Sequence, residues 1–394
     1  MEWSPQQVAA LNKVNAWLNN PKKLYFQLAG FAGTGKTTLA KHLVASVQGD
    51  VYFAAYTGKA AHVLASAGAE NVSTIHKLIY TPKDKSKKRL EALMAELEQT
   101  PLDKADRRLE LKNLIAAEEE NLSRPSYQLN MESPLLTAAL LVVDEYSMIS
   151  EEMGRDLMSF GCLVLALGDP AQLPPIMGKC FFDDKPDVLL TEIHRQAADN
   201  PIIYLASQVR QGKPLQAGFY GDSRVVHKAD ILQTDLRDLA LGADQILVGK
   251  NKTRAAINRR IRSLREYGNP LPVAGDKLVC LRNNAEFALL NGQIWECVNG
   301  SAEVEDCVAL TIRNDEREQE VVAHASYFYG NKPDPWSRGD AEEFDYGYAL
   351  TVHKAQGSQW DSVLLFDEWR SQNRKEWLYT AITRAAESIT VIQQ

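Results

Sequence analysis

Apolar residues along the chain fall into short dense runs separated by longer stretches in which they recur every three or four positions. Tyr25-Phe26-Gln27-Leu28-Ala29, Leu140-Leu141-Val142-Val143 and Leu163-Val164-Leu165-Ala166-Leu167 are runs of the first kind, dense enough to be strands covered on both faces. After the first run, Leu39, Leu43, Val44 and Val47 are spaced as the buried stripe of a helix. Such alternation predicts an α/β fold, with parallel strands and helices on both faces. Before the first strand, Ser4-Pro5-Gln6-Gln7 reads as a capping box with proline at the first helical position.

Two stretches depart from this pattern. Between 81 and 130, Leu90, Leu93, Met94 and Leu97 fall at helical spacing, Thr100-Pro101 interrupts, and Leu111, Leu114, Ile115 and Leu122 resume, which predicts a charged helical hairpin. Between 276 and 340, Lys277-Leu278-Val279-Cys280-Leu281 and Gln293-Ile294-Trp295-Glu296-Cys297-Val298 read as strands, and Asn291-Gly292 is a hairpin-turn signal. With 394 residues the chain exceeds one compact core.

The link between the first strand and its helix is Gly30-Phe31-Ala32-Gly33-Thr34-Gly35-Lys36-Thr37, a full match to GxxxxGK[ST]. Glycines let the backbone curl so that successive N–H groups, with the following helix N-terminus, face a phosphate. Lys36 would reach the β- and γ-phosphates, and Thr37 would hold Mg²⁺. The second run ends in Asp144-Glu145. In a P-loop protein Asp144 there would bind the metal and Glu145 would orient the attacking water.

Composition narrows the classes. Hydrophobic residues at 45% and charged residues at 24% are those of a folded globular chain. The longest apolar run, 135–143, is far short of the roughly 20 residues that span a bilayer. Met1-Glu2-Trp3-Ser4-Pro5 has no signal-segment character, so a cytoplasmic protein without a membrane partner is expected. Cys162, Cys180, Cys280, Cys297 and Cys307 are scattered and form no zinc pattern, which suggests reduced structural thiols. A net charge of −7 requires any nucleic-acid surface to be local. Lys250, Lys252, Arg254, Arg259, Arg260, Arg262 and Arg265 form an acid-free run, either a phosphate-binding face or a solvated helix face.

The third run ends in Gly168-Asp169-Pro170-Ala171-Gln172-Leu173-Pro174-Pro175. In this order, TGKTT, DEYSM and GDPAQLPP resemble motifs I, II and III of superfamily 1 helicases. Thr57-Gly58-Lys59-Ala60-Ala61 resembles motif Ia and Ser73-Thr74-Ile75-His76 motif Ib. Leu190-Thr191-Glu192-Ile193-His194-Arg195 resembles motif IV, Ala349-Leu350-Thr351-Val352-His353-Lys354-Ala355-Gln356-Gly357-Ser358 motif V, and Leu378-Tyr379-Thr380-Ala381-Ile382-Thr383-Arg384 motif VI. The set covers nearly the whole chain and is most similar to class B, the group of the Dda helicase of T-even phages and the RecD-type enzymes.

The resemblance implies two RecA-like P-loop motor domains facing each other across an ATP site, each with an inserted small domain. Motor domain 1A would comprise 1–80 and 131–189, with a helical insertion 1B at 81–130 where relatives carry a strand-separating pin. Motor domain 2A would comprise 190–275 and 341–394, with an SH3-like β-barrel insertion 2B at 276–340. Lys36, Glu145, Gln172, Arg195 and Arg384 would be catalytic. Gln172 would sense the γ-phosphate, and the two arginines would reach it from the second domain. Gln7, Gly33, Thr34, Gly35, Lys36, Thr37, Thr38 and Gly357 would hold nucleotide, with Gln7 on adenine, and Thr37 and Asp144 would hold the metal. Thr57, Lys59, Thr74, His76, Asn251, Thr351 and His353 would line the nucleic-acid track. Lys250 stands where relatives often carry threonine. Trp336, Tyr327, Phe328 and Tyr329 are candidates for base stacking, with core packing expected of most.

The activity so implied is ATP-dependent translocation on single-stranded DNA from the five-prime toward the three-prime end, with duplex unwinding. ATP and Mg²⁺ would be the cofactors, single-stranded DNA and fork junctions the partners, a single-stranded DNA-binding protein a further candidate partner, and the protein a monomer in a bacterial or phage-infected cytoplasm. An RNA helicase or remodeller of the same superfamily, or a nucleic-acid-stimulated clamp or loader that does not unwind, are the alternatives.

Overall fold

The computed structural model describes residues 3–82, 88–101, 104–123, 127–175, 178–192, 199–284, 287–315, 317–331 and 341–394. The chain opens with α1 (Pro5–Asn19), β1 (Tyr25–Gly30), α2 (Lys36–Val44), β2 (Val51–Ala55), α3 (Gly58–Ser66), β3 (Val72–Thr74) and α4 (Ile75–Ile79). There follow β4 (Tyr80–Pro82), α5 (Lys88–Gln99), α6 (Ala105–Ser123) and β5 (Tyr127–Leu129), then β6 (Leu140–Asp144), α7 (Glu151–Met158), β7 (Val164–Gly168) and β8 (Val188–Leu190).

The first sheet is parallel throughout, in the order β3-β2-β6-β7-β1-β8. Alternate residues of each strand enter opposite layers. Leu140, Val142 and Leu165 pack with Ala10, Val14, Leu39 and Leu43 on one face. Leu141, Val143, Val164 and Ala166 pack with Ile75, Ile149, Met153 and Leu157 on the other. This double burial explains why the strands read as continuous apolar runs.

The rest of the chain supplies α8 (Pro201–Arg210), β9 (Gly218–Tyr220), β10 (Ser223–His227), α9 (Gln233–Gly242), β11 (Gln245–Val248), α10 (Asn251–Leu264), β12 (Lys277–Cys280), β13 (Ile294–Gly300), β14 (Cys307–Arg313) and β15 (Glu318–His324). It ends with β16 (Phe344–Tyr346), β17 (Ala349–Thr351), β18 (Trp360–Asp367), α11 (Arg374–Ile382) and β19 (Ala385–Gln393). A second six-stranded sheet runs β17-β11-β18-β19-β10-β9, parallel except for the β10–β9 pair. An antiparallel sheet of five strands runs β15-β14-β13-β12-β16.

Both departures from the α/β pattern are visible. Between 81 and 130, α5 and α6 pack on each other, and the antiparallel pair β4–β5, which the sequence pattern does not signal, forms a stem. Leu90, Leu111 and Ile115 are buried there, while Met94 and Leu114 are exposed, so the apolar stripe is narrower than its spacing suggests. In the antiparallel sheet, Asn291-Gly292 does not form a two-residue hairpin. It lies at the end of the loop 281–293, where Gln293 N–H bonds Leu290 O at 3.0 Å. That sheet also continues past residue 340, since Leu278 pairs with Tyr346. Its core is shared with the second domain, joining Trp295, Leu310 and Phe344 to Ile246, Val248 and Leu364. Tyr327 and Phe328 are buried and Tyr329 is exposed; Trp336 lies outside the described residues.

The basic run becomes α10, and the structure corrects its reading. Arg262 faces inward and is buried, with Nε 2.9 Å from Asp276 Oδ1 and Nη2 3.0 Å from Asp276 Oδ2. Asp276 also accepts Val273 N–H at 2.9 Å and Tyr348 Oη at 2.8 Å. Arg254 pairs with Asp345 at 2.6 Å, leaving Lys250, Lys252, Arg259, Arg260 and Arg265 exposed. Removing one partner of a buried, fully bonded ion pair leaves an uncompensated charge. Asp276→Ala is expected to lower stability by about 3–5 kcal/mol, read as a fall in the denaturant midpoint.

Candidate active site at the domain cleft

β1 ends at Gly30, and the chain turns through Gly33 and Gly35, at φ +79° and +78°, into α2. These left-handed conformations suit glycine and bring the loop's N–H groups round to the helix N-terminus. Lys36 Nζ lies back across the loop, donating to Gly30 O at 2.7 Å and Phe31 O at 3.2 Å. Thr34 is buried and Thr38 exposed. Gln7 has both ends of its amide engaged: Oε1 accepts Ser4 N–H at 3.0 Å and Nε2 donates to Thr34 O at 3.1 Å. The capping box is thus present, and it ties α1 to the phosphate loop.

β6 delivers Asp144 and Glu145 to the same end of the sheet. Thr37 Oγ1 is 3.5 Å from Asp144 Oδ2, and Glu145 N–H bonds Asp144 Oδ1 at 2.8 Å. Enclosure, and secondarily the charge of Glu145, pushes the Asp144 carboxyl up to about 6. Glu145 has φ +57°, a conformation uncommon outside glycine. A hydroxyl and a carboxylate are the hard oxygen donors that Mg²⁺ takes, with its other positions left to water and phosphate, so these residues fit that ion.

The second domain closes over the loop. Arg384 Nη1 lies 4.0 Å from Glu145 Oε1, and the guanidinium is buried, donating to Thr380 O at 3.1 Å and Ser358 O at 3.2 Å. Asp169, at the end of β7, accepts Ala171 N–H at 3.0 Å and the Tyr379 hydroxyl at 2.6 Å. Leu173 N–H bonds Thr380 Oγ1 at 2.9 Å, and Gln356 Nε2 bonds Leu173 O at 3.1 Å. Gln172 Oε1 is buried without a hydrogen-bond partner. Arg195 lies outside the described residues.

The expected track residues fall into two sets. Thr57, Thr74 and Thr351 each accept a backbone N–H three residues on, at 3.2, 3.2 and 3.4 Å, which leaves each hydroxyl proton free to donate. Gly357, at φ +73°, sits against Thr57, whose Oγ1 would lie 2.8 Å from a Cβ there. It therefore adjoins α3 and joins the domains by close backbone approach. His76 lies between the rings of Tyr56 and Tyr80, and His353 meets the Trp369 ring edge-on; burial pushes both imidazoles below their ordinary range. Lys59 packs its ammonium over Trp360, 4.5 Å from the ring centre, beside a cavity of about 710 Å³ that Lys277 and Trp295 also line. Burial first, then the charge of Arg384, pushes it down to about 8.

Asn251 opens α10 and is exposed. Sequence reasoning missed its support. Glu368 accepts Gly249 N–H and Lys250 N–H at 2.9 Å each and Thr253 Oγ1 at 2.7 Å, a carboxylate on a helix N-terminus. It also missed Tyr379, Thr380 and Gln356 as cleft residues, for which the motif spacing was the available signal.

A phosphate loop, a strand-end Asp-Glu pair and an arginine from a second α/β domain define a two-domain P-loop protein. Residues 2–230 match the AAA domain family, and residues 346–392 match the UvrD-like helicase C-terminal domain. The chain belongs to this AAA family, and the UvrD-like helicase C-terminal match follows it in order, the arrangement of a superfamily 1 helicase. It is 28% identical over 391 residues to the ATP-dependent RecD2 DNA helicase of Deinococcus radiodurans, covering 91% of this chain and 45% of that protein, so it spans about half the length of that relative. A Pif1 helicase from Bacteroides in complex with ADP-AlF3 and ssDNA has TM-score 0.54 at 18% identity, over 99% of this chain and 92% of that chain. A structure of two coordinating Pif1 helicases at forked dsDNA gives 0.53 at 17% identity, over 99% and 92% of the two chains. These likenesses show the RecA-like α/β fold with parallel sheets. No helix among the described residues is long and apolar enough to cross a membrane.

A carboxyl raised by burial stabilises the folded protein below its unfolded value and loses that contribution as pH rises through its folded value. Nucleotide-free Asp144→Asn is therefore expected to match the wild type near pH 4 and to exceed it above pH 6, by on the order of 1–2 kcal/mol. Denaturant unfolding across pH 4–8 checks this.

Proposed function

We propose that this chain is an ATP-driven motor that moves along single-stranded DNA and separates duplex ahead of it. The observation that carries the reading is Arg384 of the second domain, 4.0 Å from Glu145 of the first. An ATP site so divided responds to domain closure. Lys36 would turn from the loop carbonyls to the β- and γ-phosphates, and Glu145 would orient the attacking water. Arg384, with Arg195 by its motif, would meet the charge on the transferring phosphoryl group. Gln172, whose buried Oε1 is unpartnered, would accept from the attacking water there and donate its amide N–H to the γ-phosphate. Mg²⁺ held by Thr37 and Asp144 would neutralise phosphate charge. Gln7 would read adenine by exchanging one of its present bonds.

Thr57, Lys59, Thr74, His76, Asn251, Thr351 and His353 would form the strand's track across both domains. The helical segment 81–130 would act as the strand-separating module, and the antiparallel sheet from Lys277 to Tyr346 as the SH3-like cover of the strand. The class B resemblance favours movement from the five-prime toward the three-prime end, on fork junctions, as a cytoplasmic monomer, with a single-stranded DNA-binding protein as a neighbour.

Steady-state ATP hydrolysis without nucleic acid, with single-stranded DNA and with RNA of matched sequence tests the reading. DNA is expected to stimulate at least tenfold, and Lys36→Ala to abolish turnover, with unwinding of five-prime-tailed duplexes. Stimulation by RNA alone would move the assignment to an RNA motor. Stimulation without unwinding would leave a clamp or loader, and indifference to both polymers would end the motor reading.

A further inference from the structure

One peptide unit of the phosphate loop is held from both sides. The Phe31 carbonyl accepts Thr34 Oγ1 at 2.8 Å and Lys36 Nζ at 3.2 Å. The Ala32 N–H of the same peptide donates to Tyr379 Oη at 3.0 Å. Tyr379 in turn donates its proton to Asp169 Oδ2 at 2.6 Å. Tyr379 and Asp169 are each 1% exposed.

A phenol has one proton to give and readily accepts another. Tyr379 is on α11, in the second domain, yet both bonds go to the first. Its ring packs in a core cluster that also takes in Leu173, Ala171 and Ala32 of the first domain, a task phenylalanine could perform equally well, so the hydroxyl answers a different requirement. Drawing the domains apart would exchange both bonds for bonds to water, whereas losing the hydroxyl in the closed protein would strip a buried carboxylate of one of its two donors and leave the Ala32 N–H without its acceptor, both costly for groups out of water.

We propose that Tyr379 is a positioning residue whose hydroxyl latches the two domains closed, holding Arg384 at Glu145 and linking closure to the phosphate loop through the Phe31–Ala32 peptide. The latch deepens the motor reading and rests on it only for its kinetic consequence. Lys36 holds the carbonyl of that peptide and Tyr379 its N–H, so a lysine drawn away to phosphates alters the polarisation of the group that the latch grips. Closure and nucleotide contact thereby share one peptide unit.

The test is the interdomain distance of nucleotide-free protein, read by single-molecule energy transfer between dyes at Lys13→Cys and Arg237→Cys in a Cys180→Ser, Cys307→Ser background. The wild type is expected to be mainly closed. Tyr379→Phe should raise the open-to-closed ratio about tenfold, with an unchanged thermal midpoint. Asp169→Asn should act in the same direction, and the double variant should open no further than the larger single change, as for partners in one bond. With DNA present, Tyr379→Phe should lower kcat by a similar factor, whereas Arg384→Ala should lower kcat without opening the protein. A wild type already open, a ratio unmoved by Tyr379→Phe, or additive effects of the two substitutions would overturn the latch. Should the wild type hydrolyse no ATP, the motor reading fails while the distance measurement still decides the latch.

Discussion

A carboxylate removed from water needs hydrogen-bond donors to remain charged, and Asp169 obtains its two from Ala171 in its own domain and Tyr379 across the cleft. Burial pushes its carboxyl upward, while the charge of Lys36 and the tyrosine bond draw it back. Satisfying this one group therefore requires both domains. The neighbouring contacts follow the same economy: Leu173 gives its N–H to Thr380 and takes Gln356 on its carbonyl. Buried backbone polar groups that would otherwise lack partners are completed across the domain boundary. The facing surfaces thus combine these polar bonds with an apolar contact, since Leu173, Ala171 and Ala32 of the first domain pack in the core cluster of the second.

The same cleft concentrates like charge. Asp144 and Glu145 are adjacent, and enclosure with mutual repulsion raises Asp144. Lys36 and Arg384 approach them from opposite domains, Lys36 through its charge on Asp144 and Arg384 at 4.0 Å from Glu145. Glu145 reaches its position through a left-handed backbone conformation that costs of order 1 kcal/mol for a residue with a side chain. Its main chain is fixed by the bond from its N–H to Asp144 and by Met148 N–H on its carbonyl at 3.2 Å. A strained residue between two charged groups, secured by its neighbours, is consistent with a site shaped for chemistry and not for stability alone.

Much of the fold was legible because the parallel strands are buried on both faces. Double burial produced the runs at 25–29, 140–143 and 163–167, and the phosphate loop and Asp-Glu pair are contiguous in sequence. The β4–β5 stem was not legible, because each strand has only three residues, too few for a periodic signal. The place of Asn291-Gly292 in a longer loop was hidden for a related reason: the dipeptide specifies a local turn and says nothing of which strands it joins. Tyr379, Thr380, Gln356 and Glu368 act through partners more than a hundred residues away, so no periodic pattern could pair them, and for the first three only their place within the motifs was a signal. Gln7 was legible as a cap, yet its bond to Thr34 emerges only once α1 lies beside the phosphate loop.

The basic helix shows how a charge run divides by face. At 3.6 residues per turn, a run of alternating arginines cannot present every side chain to one partner. Arg262 turns inward to Asp276, Arg254 is engaged by Asp345, and Glu368 fixes the helix start. The inner cations thus join the antiparallel sheet to the second domain, and a positive outer surface is left at Lys250, Lys252, Arg259, Arg260 and Arg265. For a chain of net charge −7, that division keeps the exposed positive field local.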